Sequence, residues 1–172
     1  GVSIIIPVFN EEQWIHRTIL SCINQYYPVD KLEVIVVDDY STDRTEEAAN
    51  NMIELIHREG GRFRTEGRLK FHKLPQNGGK REALIAGVHL AKHDLVVFVD
   101  SDSFLEPHAI RNLVQPFQDP KMGGVAGRTE VENKFTNALT KLQTVRYYIA
   151  FRIMKALIGA TGMLSKRTYI KK

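Results

Sequence analysis

The sequence predicts an α/β protein, built as a three-layer α/β/α sandwich around a mostly parallel sheet. Three mainly apolar runs, Ser3–Val8, Leu32–Val37 and Leu95–Val99, are typical of strands buried on both faces. The segments between them carry apolar residues at helical spacing, as expected when helices cover both faces of a sheet. Acidic residues follow the second and third runs, and open α/β sheets bind ligands outside the carboxyl ends of their strands.

Length and composition are consistent with one domain. The chain has 172 residues, of which 43% are hydrophobic, so it is long enough to bury a core. Its one cysteine, Cys22, excludes a disulfide framework and a zinc cluster of cysteines, and its apolar neighbours predict a buried, inert thiol. The sequence has no start methionine, signal peptide or apolar run of membrane-spanning length, so we expect an excised soluble piece of a longer protein.

Charge is divided sharply along the chain, whose net charge is +4. Residues 133–172 contain nine Lys or Arg and no Asp or Glu, which leaves 15 basic and 20 acidic residues in the core, 1–132. We predict a last helix over about 138–158, with a basic strip that includes Lys141, Arg152 and Lys155. Either this strip lies on an anionic membrane surface, or the helix packs against the sheet and the strip faces water.

The first half of the chain predicts two strand–helix units. After Ser3–Val8, Asn10 and Gln13 have the spacing of a capping box, which predicts a helix from Glu11 to about Tyr26 with Trp14 on its buried face. After Leu32–Val37, the same spacing recurs at Asp43 and Glu46 and predicts a helix to about His57.

The second half predicts a third unit and a glycine-rich strand. A short strand over residues 69–74 leads into a Gly78-Gly79-Lys80 turn, where free backbone amides and a lysine suit an anion. The GxxxxGK[ST] spacing of a Walker loop is absent, and an ordinary glycine turn is the alternative. After the strand Leu95–Val99, Glu106-Pro107 predicts a short helix to about residue 117, and residues 122–127 predict a further strand.

Asp100 and Asp102 are the acidic pair most suited to a ligand. They follow a buried strand directly, and residues i and i+2 of an extended segment point the same way. Both carboxylates are therefore expected to reach one hard divalent cation and its phosphate ligand. A surface turn rich in Asp and Ser is the alternative interpretation.

Four motifs, in this order, resemble the inverting family-2 glycosyltransferases of GT-A fold. They are Pro7-Val8-Phe9-Asn10-Glu11, Val36-Val37-Asp38-Asp39-Tyr40-Ser41-Thr42-Asp43, Asn77-Gly78-Gly79-Lys80-Arg81-Glu82-Ala83-Leu84 and Val99-Asp100-Ser101-Asp102. The third is most similar to the processive branch, which includes hyaluronan, chitin and cellulose synthases. The resemblance covers nearly the whole chain.

The resemblance implies a site for a UDP-sugar and a divalent metal, with residues 1–132 as the nucleotide-binding core. Asp39 would lie near the uracil base, Lys80 would contact the diphosphate, and Asp100 and Asp102 would bind Mg²⁺ or Mn²⁺. The full set of residues implied to bind the nucleotide sugar is Pro7, Val8, Asn10, Glu12, Asp39, Lys80, Asp100, Ser101 and Asp102.

The same resemblance leaves part of the expected machinery outside the chain. Family members use a later carboxylate as general base, and no acidic residue follows Glu132, so we assign no catalytic residue here and expect the base beyond residue 172. The acceptor half is incomplete, and we expect little or no sugar transfer by this chain. The acceptor would be a glycan or a lipid, and the parent a membrane protein with this domain in the cytoplasm.

Two other functions are weighed against this one. Phosphatases of the haloacid dehalogenase type also place Asp-x-Asp after an apolar strand, but normally after the first strand, where the first Asp is a nucleophile. The basic residues of 133–172 suit a non-catalytic module that binds anionic membranes or polyanions. The sequence has no recognisable nucleic-acid-binding module or aromatic platform.

Overall fold

The structure is a computed structural model that describes residues 1–60, 67–127 and 141–142. The chain divides into two compact units, and all strands and helices given below belong to the first, which contains Gly1–Gly124. The second spans Val125–Arg167, of which residues 125–127, Lys141 and Leu142 are described. The predicted division at residue 132 stays a prediction.

Four parallel strands form one sheet in the order β3-β2-β1-β4. The strands are β1 (Val2–Val8), β2 (Leu32–Asp38), β3 (Leu69–Lys73) and β4 (Leu95–Phe98). Every residue of β1 and β2 is buried, as their continuous apolar runs predict for the two central strands.

Helices cover both faces of the sheet, which confirms the predicted three-layer α/β/α sandwich. They are α1 (Ile15–Ile23), α2 (Thr45–Arg58), α3 (Lys80–Leu90) and α4 (Ala109–Val114), with 3₁₀ turns at Val29–Lys31 and Gln115–Gln118. Alternate residues of β1 enter different cores: Ile4 and Ile6 pack with Ile15 of α1, whereas Ile5 packs with Ala83 of α3. The period-2 alternation of a strand therefore feeds two apolar layers.

Cys22 is fully buried on α1, and burial raises the pKa of its thiol to about 12. The prediction of an inert thiol is confirmed, because a thiol with so high a pKa carries almost no thiolate at neutral pH. None of the helices within the described residues is long and apolar enough to cross a membrane.

The predicted start of the first helix is wrong. The helix begins at Ile15, four residues later than the capping-box spacing predicts, and ends at Ile23; Trp14 is 41% exposed. Asn10 has a φ of +54°, which is not helical, and its side chain accepts a hydrogen bond from the amide of Thr42. Bonds to a neighbouring loop have therefore replaced the local cap.

Two later predictions also need correction. The short helix begins at Ala109 and not at Glu106, and residues 122–127 form no strand in the structure as described. Three glycines in those six residues offer few side chains to pack, so the segment lacks what stabilises a strand. Of the predicted helix over 138–158 only Lys141 and Leu142 are described; both are helical and exposed, and the other residues lie outside the described part.

Helix α3 approaches the sheet closely at Gly87. A Cβ at this position would lie 2.4 Å from the Cγ2 atom of the fully buried Ile5. We expect Gly87→Ala to lower the free energy of unfolding by about 1 kcal/mol, because the overpacking cost exceeds the gain in helix propensity. Urea unfolding measures the change, and Gly123→Ala, where no atom lies within 4 Å of the new Cβ, is the control. A Gly87→Ala protein more stable than wild type would contradict the close approach.

Candidate functional site

The end of β1, the segments that follow β1, β2 and β4, and the first turn of α3 line a cavity of about 270 Å³. Because all strand pairs are parallel, the carboxyl ends of these strands lie at one edge of the sheet. The lining residues are Pro7, Val8, Phe9, Glu11, Asp39, Lys80, Ala83, Asp100, Ser101 and Asp102. Five of them carry a full charge, four as carboxylates and one as an ammonium group, and they lie beside the exposed aromatic ring of Phe9.

Seven of the nine residues predicted to bind the nucleotide sugar line this cavity: Pro7, Val8, Asp39, Lys80, Asp100, Ser101 and Asp102. The other two, Asn10 and Glu12, are not lining residues. Their side chains accept hydrogen bonds from the amides of Thr42 and Arg44 in the segment between β2 and α2. Direct contact of Asn10 and Glu12 with a nucleotide stays a prediction.

Three lining residues, Phe9, Glu11 and Ala83, are outside the set of nine that the family resemblance implies, although Phe9 lies within the segment Pro7–Asn10 that the resemblance places at the uridine. Phe9 lies between Val8 and Asn10, which are both predicted to bind the nucleotide sugar, and this position in the sequence indicates that Phe9 is close to the site. The sequence predicts that Glu11 lies in the first turn of a helix, where an acidic residue has a structural role. The late start of α1 leaves Glu11 in the loop, and its carboxylate becomes part of the site.

The carboxylate of Glu11 is electrostatically unfavourable in this position. Its pKa is raised by partial burial and, in smaller measure, by the negative charges of Asp102 and Asp43. A cation bound in the cavity would reduce this repulsion, because an opposite charge nearby favours the ionised carboxylate.

Asp39 is held firmly from three sides. Its side chain is almost buried, and its Oδ1 atom accepts a hydrogen bond from the amide of Gly78 at 2.7 Å. Its backbone carbonyl accepts from the Asn77 side chain at 3.1 Å, and its amide donates to the carbonyl of Val8 at 2.9 Å. The second carboxylate oxygen, Oδ2, has no donor among the described residues, so Asp39 offers the cavity an oriented acceptor.

The neighbouring Asp38 has a different role. It is fully buried, and its Oδ1 atom accepts hydrogen bonds from the amide and the hydroxyl of Ser41, while Oδ2 has no partner among the described residues. Successive side chains at a strand end point in opposite directions, so only one of the two aspartates lines the cavity.

Lys80 and the Asp100–Asp102 turn form the other end of the cavity. Lys80 is the first residue of α3, and its Nζ atom donates to Oδ1 of Asp100. Gly79, at a φ of +82°, allows the sharp entry into this helix. The turn is anchored to α1, because the hydroxyl of Thr18 donates to the carbonyl of Ser101 at 2.7 Å. The ammonium group of Lys80 and the carboxylates of Asp100 and Asp102 therefore lie together at the rim of the cavity.

The sequence profile of Glycosyl transferase family 2 matches residues 3–167, nearly the whole chain. The chain belongs to this family. Family membership decides between the two enzyme classes considered above, and it confirms the glycosyltransferase resemblance and the GT-A-like α/β fold.

Relatives of this glycosyltransferase domain are longer proteins. An N-acetylglucosaminyltransferase of Rhizobium meliloti (strain 1021) is 37% identical over 151 residues, which are 87% of this chain and 33% of that protein. The chain spans about a third of the length of the curated relatives it matches.

Two solved structures share the fold. The mannosyltransferase PcManGT from Pyrobaculum calidifontis, in complex with GDP-Man and Mn²⁺, is 31% identical with a TM-score of 0.63, over 71% of this chain and 33% of that one. S. aureus TarS 1-349, in complex with UDP-GlcNAc, is 28% identical with a TM-score of 0.55, over 80% of this chain and 38% of that one.

The residues of the glycosyltransferase cavity fit a hard divalent cation that is bound together with phosphate. Residues 1–60, 67–127 and 141–142 contain no group of three or more His, Cys, Asp or Glu side chains arranged to hold a metal ion. Mg²⁺, however, is typically bound by one or two carboxylates together with substrate phosphates and water. Asp100 and Asp102 supply two carboxylates at the rim, and the negative charge of Asp102 contributes, after burial, to the raised pKa of Glu11.

Proposed function

We propose that this domain binds a UDP-sugar together with Mg²⁺ or Mn²⁺, as the donor-binding part of an inverting glycosyltransferase. The observation that carries the proposal is the cavity at the carboxyl end of the sheet, which brings Asp39, Lys80, Asp100 and Asp102 together. The acceptor is a glycan or a lipid in the same proposal. Membership of family 2 and the nucleotide-sugar complexes of the two structural neighbours support it.

The Asp39 end is proposed to bind the base. A uracil ring presents one ring N–H, and the oriented Oδ2 atom of Asp39 is an acceptor for it. Phe9 is 45% exposed and lines the same cavity, so its ring offers an apolar surface to a planar base. Pro7 and Val8 complete this end with backbone and apolar contacts.

The opposite end is proposed to bind the diphosphate. Lys80 supplies one positive charge, and Asp100 and Asp102 hold the metal, with Ser101 between them. The metal, when bound, neutralises the negative charge that develops on the diphosphate leaving group. The part of Lys80 is to bind and orient the diphosphate by its charge.

The sugar proposed first is N-acetylglucosamine. An N-acetylglucosaminyltransferase is 37% identical to this chain, and one structural neighbour was solved with UDP-GlcNAc. The neighbour solved with GDP-Man makes a guanosine nucleotide the alternative donor.

The whole protein is proposed to be a membrane polysaccharide synthase with this domain in the cytoplasm. Support comes from the likeness of the Gly78–Leu84 segment to the processive branch. The nine basic residues of 133–172 would then face an anionic membrane surface. We expect these basic residues to bind anionic vesicles, and we expect the binding to weaken at high salt and to be unchanged in Asp102→Ala. The non-catalytic alternative predicts the same result.

Calorimetric titration with UDP tests the donor site. We expect binding in Mn²⁺ and at least about tenfold weaker binding in EDTA or in the Asp102→Ala variant, because the cation that links the carboxylates to the diphosphate is lost or loosened. Asp119→Ala, which removes an exposed carboxylate that does not line the cavity, is the matched control and should bind as wild type does.

Titration with GDP in parallel identifies the base. Tight GDP binding with no UDP binding would replace the proposed donor by a guanosine one. Absence of binding to both nucleotides in Mn²⁺ would refute the proposed site.

A further inference from the structure

Two loops beside the cavity are joined by several hydrogen bonds. The first loop is the segment 9–14 between β1 and α1, and the second loop is the segment 39–44 between β2 and α2. Three successive amides of the first loop donate to side chains of the second loop or of the first residue of α2. These bonds run from Asn10 to Ser41 Oγ (3.0 Å), from Glu11 to Thr45 Oγ1 (2.8 Å) and from Glu12 to Asp43 Oδ2 (3.3 Å).

Two side chains of the first loop bind the second loop in return. The Oδ1 atom of Asn10 accepts from the amide of Thr42 at 2.8 Å and from its hydroxyl at 3.3 Å. The Oε2 atom of Glu12 accepts from the amide of Arg44 at 3.0 Å and lies 3.5 Å from the Nε atom of the same residue. The side chains of Asn10 and Glu12 therefore both bind the second loop.

The backbone of each loop is held in a conformation that L-residues rarely adopt. Asn10 has a φ of +54° and Tyr40 a φ of +64°. Asparagine tolerates this region better than most residues, whereas tyrosine is strained there. Such conformations persist only where the surrounding structure over-determines them, and the bonds between the two loops do so here.

Residues that line the cavity lie next to the bonded ones. Phe9 and Glu11 flank Asn10 in the first loop, and Asp39 precedes Tyr40 at the start of the second. Any rearrangement of the bonded amides would therefore move the ring and the two carboxylates that face the ligand.

We propose that Asn10 and Glu12 are positioning residues that join the two loops and hold Phe9, Glu11 and Asp39 ready for the nucleotide without touching it. The inference rests on the proposed function, since it concerns the same donor site. It differs from the prediction drawn from the family resemblance, in which both residues contact the nucleotide sugar directly.

Matched variants separate the two roles. Asn10→Asp and Glu12→Gln keep the oxygen acceptor that the second loop uses, whereas Asn10→Gly and Glu12→Ala remove it; glycine also tolerates the positive φ at residue 10. One conservative variant adds a negative charge and the other removes one, so a simple charge effect on an anionic ligand would move their affinities in opposite directions.

We expect the two conservative variants to bind UDP in Mn²⁺ within about twofold of wild type, as measured by calorimetry at about 0.15 M ionic strength. The two deletion variants are expected to bind about fivefold to tenfold more weakly, because the nucleotide must then order the loops. Weak binding by Asn10→Asp equal to that of Asn10→Gly would indicate a direct contact through the amide group and would overturn the proposal.

Amide hydrogen exchange in the nucleotide-free protein supplies an independent readout. Loss of the acceptor in Asn10→Gly should speed exchange at Thr42, and Glu12→Ala should speed it at Arg44, while the conservative variants keep wild-type protection. Unchanged exchange in both deletion variants would refute the positioning role. If wild type binds no nucleotide, the proposed function fails, and the exchange data still report on the bonded loops.

Discussion

Replacement of Glu33 by alanine is expected to lower the free energy of unfolding by about 3 kcal/mol, because the three donors that it satisfies, among them the buried hydroxyl of Ser3, lose their acceptor. Glu33 lies on β2 and is 2% exposed. It accepts hydrogen bonds from the hydroxyl of Ser3 at 2.6 Å, from the Nζ atom of Lys70 at 3.0 Å and from the amide of Lys92. One carboxylate thus joins β1, β3 and the segment between α3 and β4.

Urea unfolding at neutral pH measures this loss, with Glu33→Gln as the control. Glutamine keeps one oxygen acceptor and nearly the same volume, so a loss of about 1 kcal/mol is expected. An alanine variant as stable as wild type would mean that the three donors find other partners and that the carboxylate does not join these segments.

The same carboxylate makes stability depend on pH. Burial alone raises the pKa of Glu33, but the hydrogen bonds from Ser3, from the amide of Lys92 and from Lys70 outweigh it and lower the pKa below its ordinary value of 4.5. The folded state therefore binds this proton more weakly than the unfolded state does. The contribution to stability is fully present above the unfolded pKa and is lost as the pH falls through the folded pKa. Glutamine does not titrate. When the pH is lowered from neutral to below 4.5, the free energy of unfolding of Glu33→Gln should therefore fall by less than that of the wild type.

Replacement of Asp39 by alanine is expected to weaken UDP binding by about 100-fold, the effect of losing a charge-assisted hydrogen bond to the base. The variant also loses the acceptor for the amide of Gly78, a hydrogen bond that joins the segment between β3 and α3 to the second loop. Both effects act at the carboxyl ends of the strands, where UDP is proposed to bind. Calorimetric titration with UDP in Mn²⁺ measures their sum.

Asp39→Asn separates the ligand contact from the structural one. Its amide oxygen can still accept from Gly78, but its NH₂ group then faces the ring N–H of the base, and two donors do not bond. We expect stability close to that of wild type with UDP binding weakened by about 30-fold or more. Tight UDP binding by Asp39→Asn would show that the base does not lie at this carboxylate.

Prediction from sequence succeeded where one strand end determines the position of a residue. Asp39, Lys80, Asp100 and Asp102 follow three different segments of the chain, yet they line one cavity. Apolar runs identify the strands, and the carboxyl ends of parallel strands meet at one edge, so local pattern and general topology suffice. The two apolar layers on either side of β1 and β2 follow from the same pattern.

Prediction failed where a local signal competes with a distant partner. The Asn10–Gln13 spacing predicts a helix start, but the side chain of Asn10 accepts a hydrogen bond from the amide of Thr42 and does not cap a helix. The amides of Asn10, Glu11 and Glu12 donate to side chains at positions 41, 45 and 43. No pattern within the first loop contains this information, because the acceptors lie about 30 residues away along the chain.

The sequence by itself therefore determined the fold class, the succession of β1 to β4 and α1 to α4 along the chain, the family and seven lining residues of the cavity. Only the tertiary structure decided where α1 begins, that Glu11 and Phe9 belong to the site, and that Asn10 and Glu12 bind the neighbouring loop. The physical reason is the range of the interactions. A run of consecutive apolar residues is enough to predict a buried strand. The loops, in contrast, are shaped by hydrogen bonds whose donors and acceptors meet only after the sheet has formed.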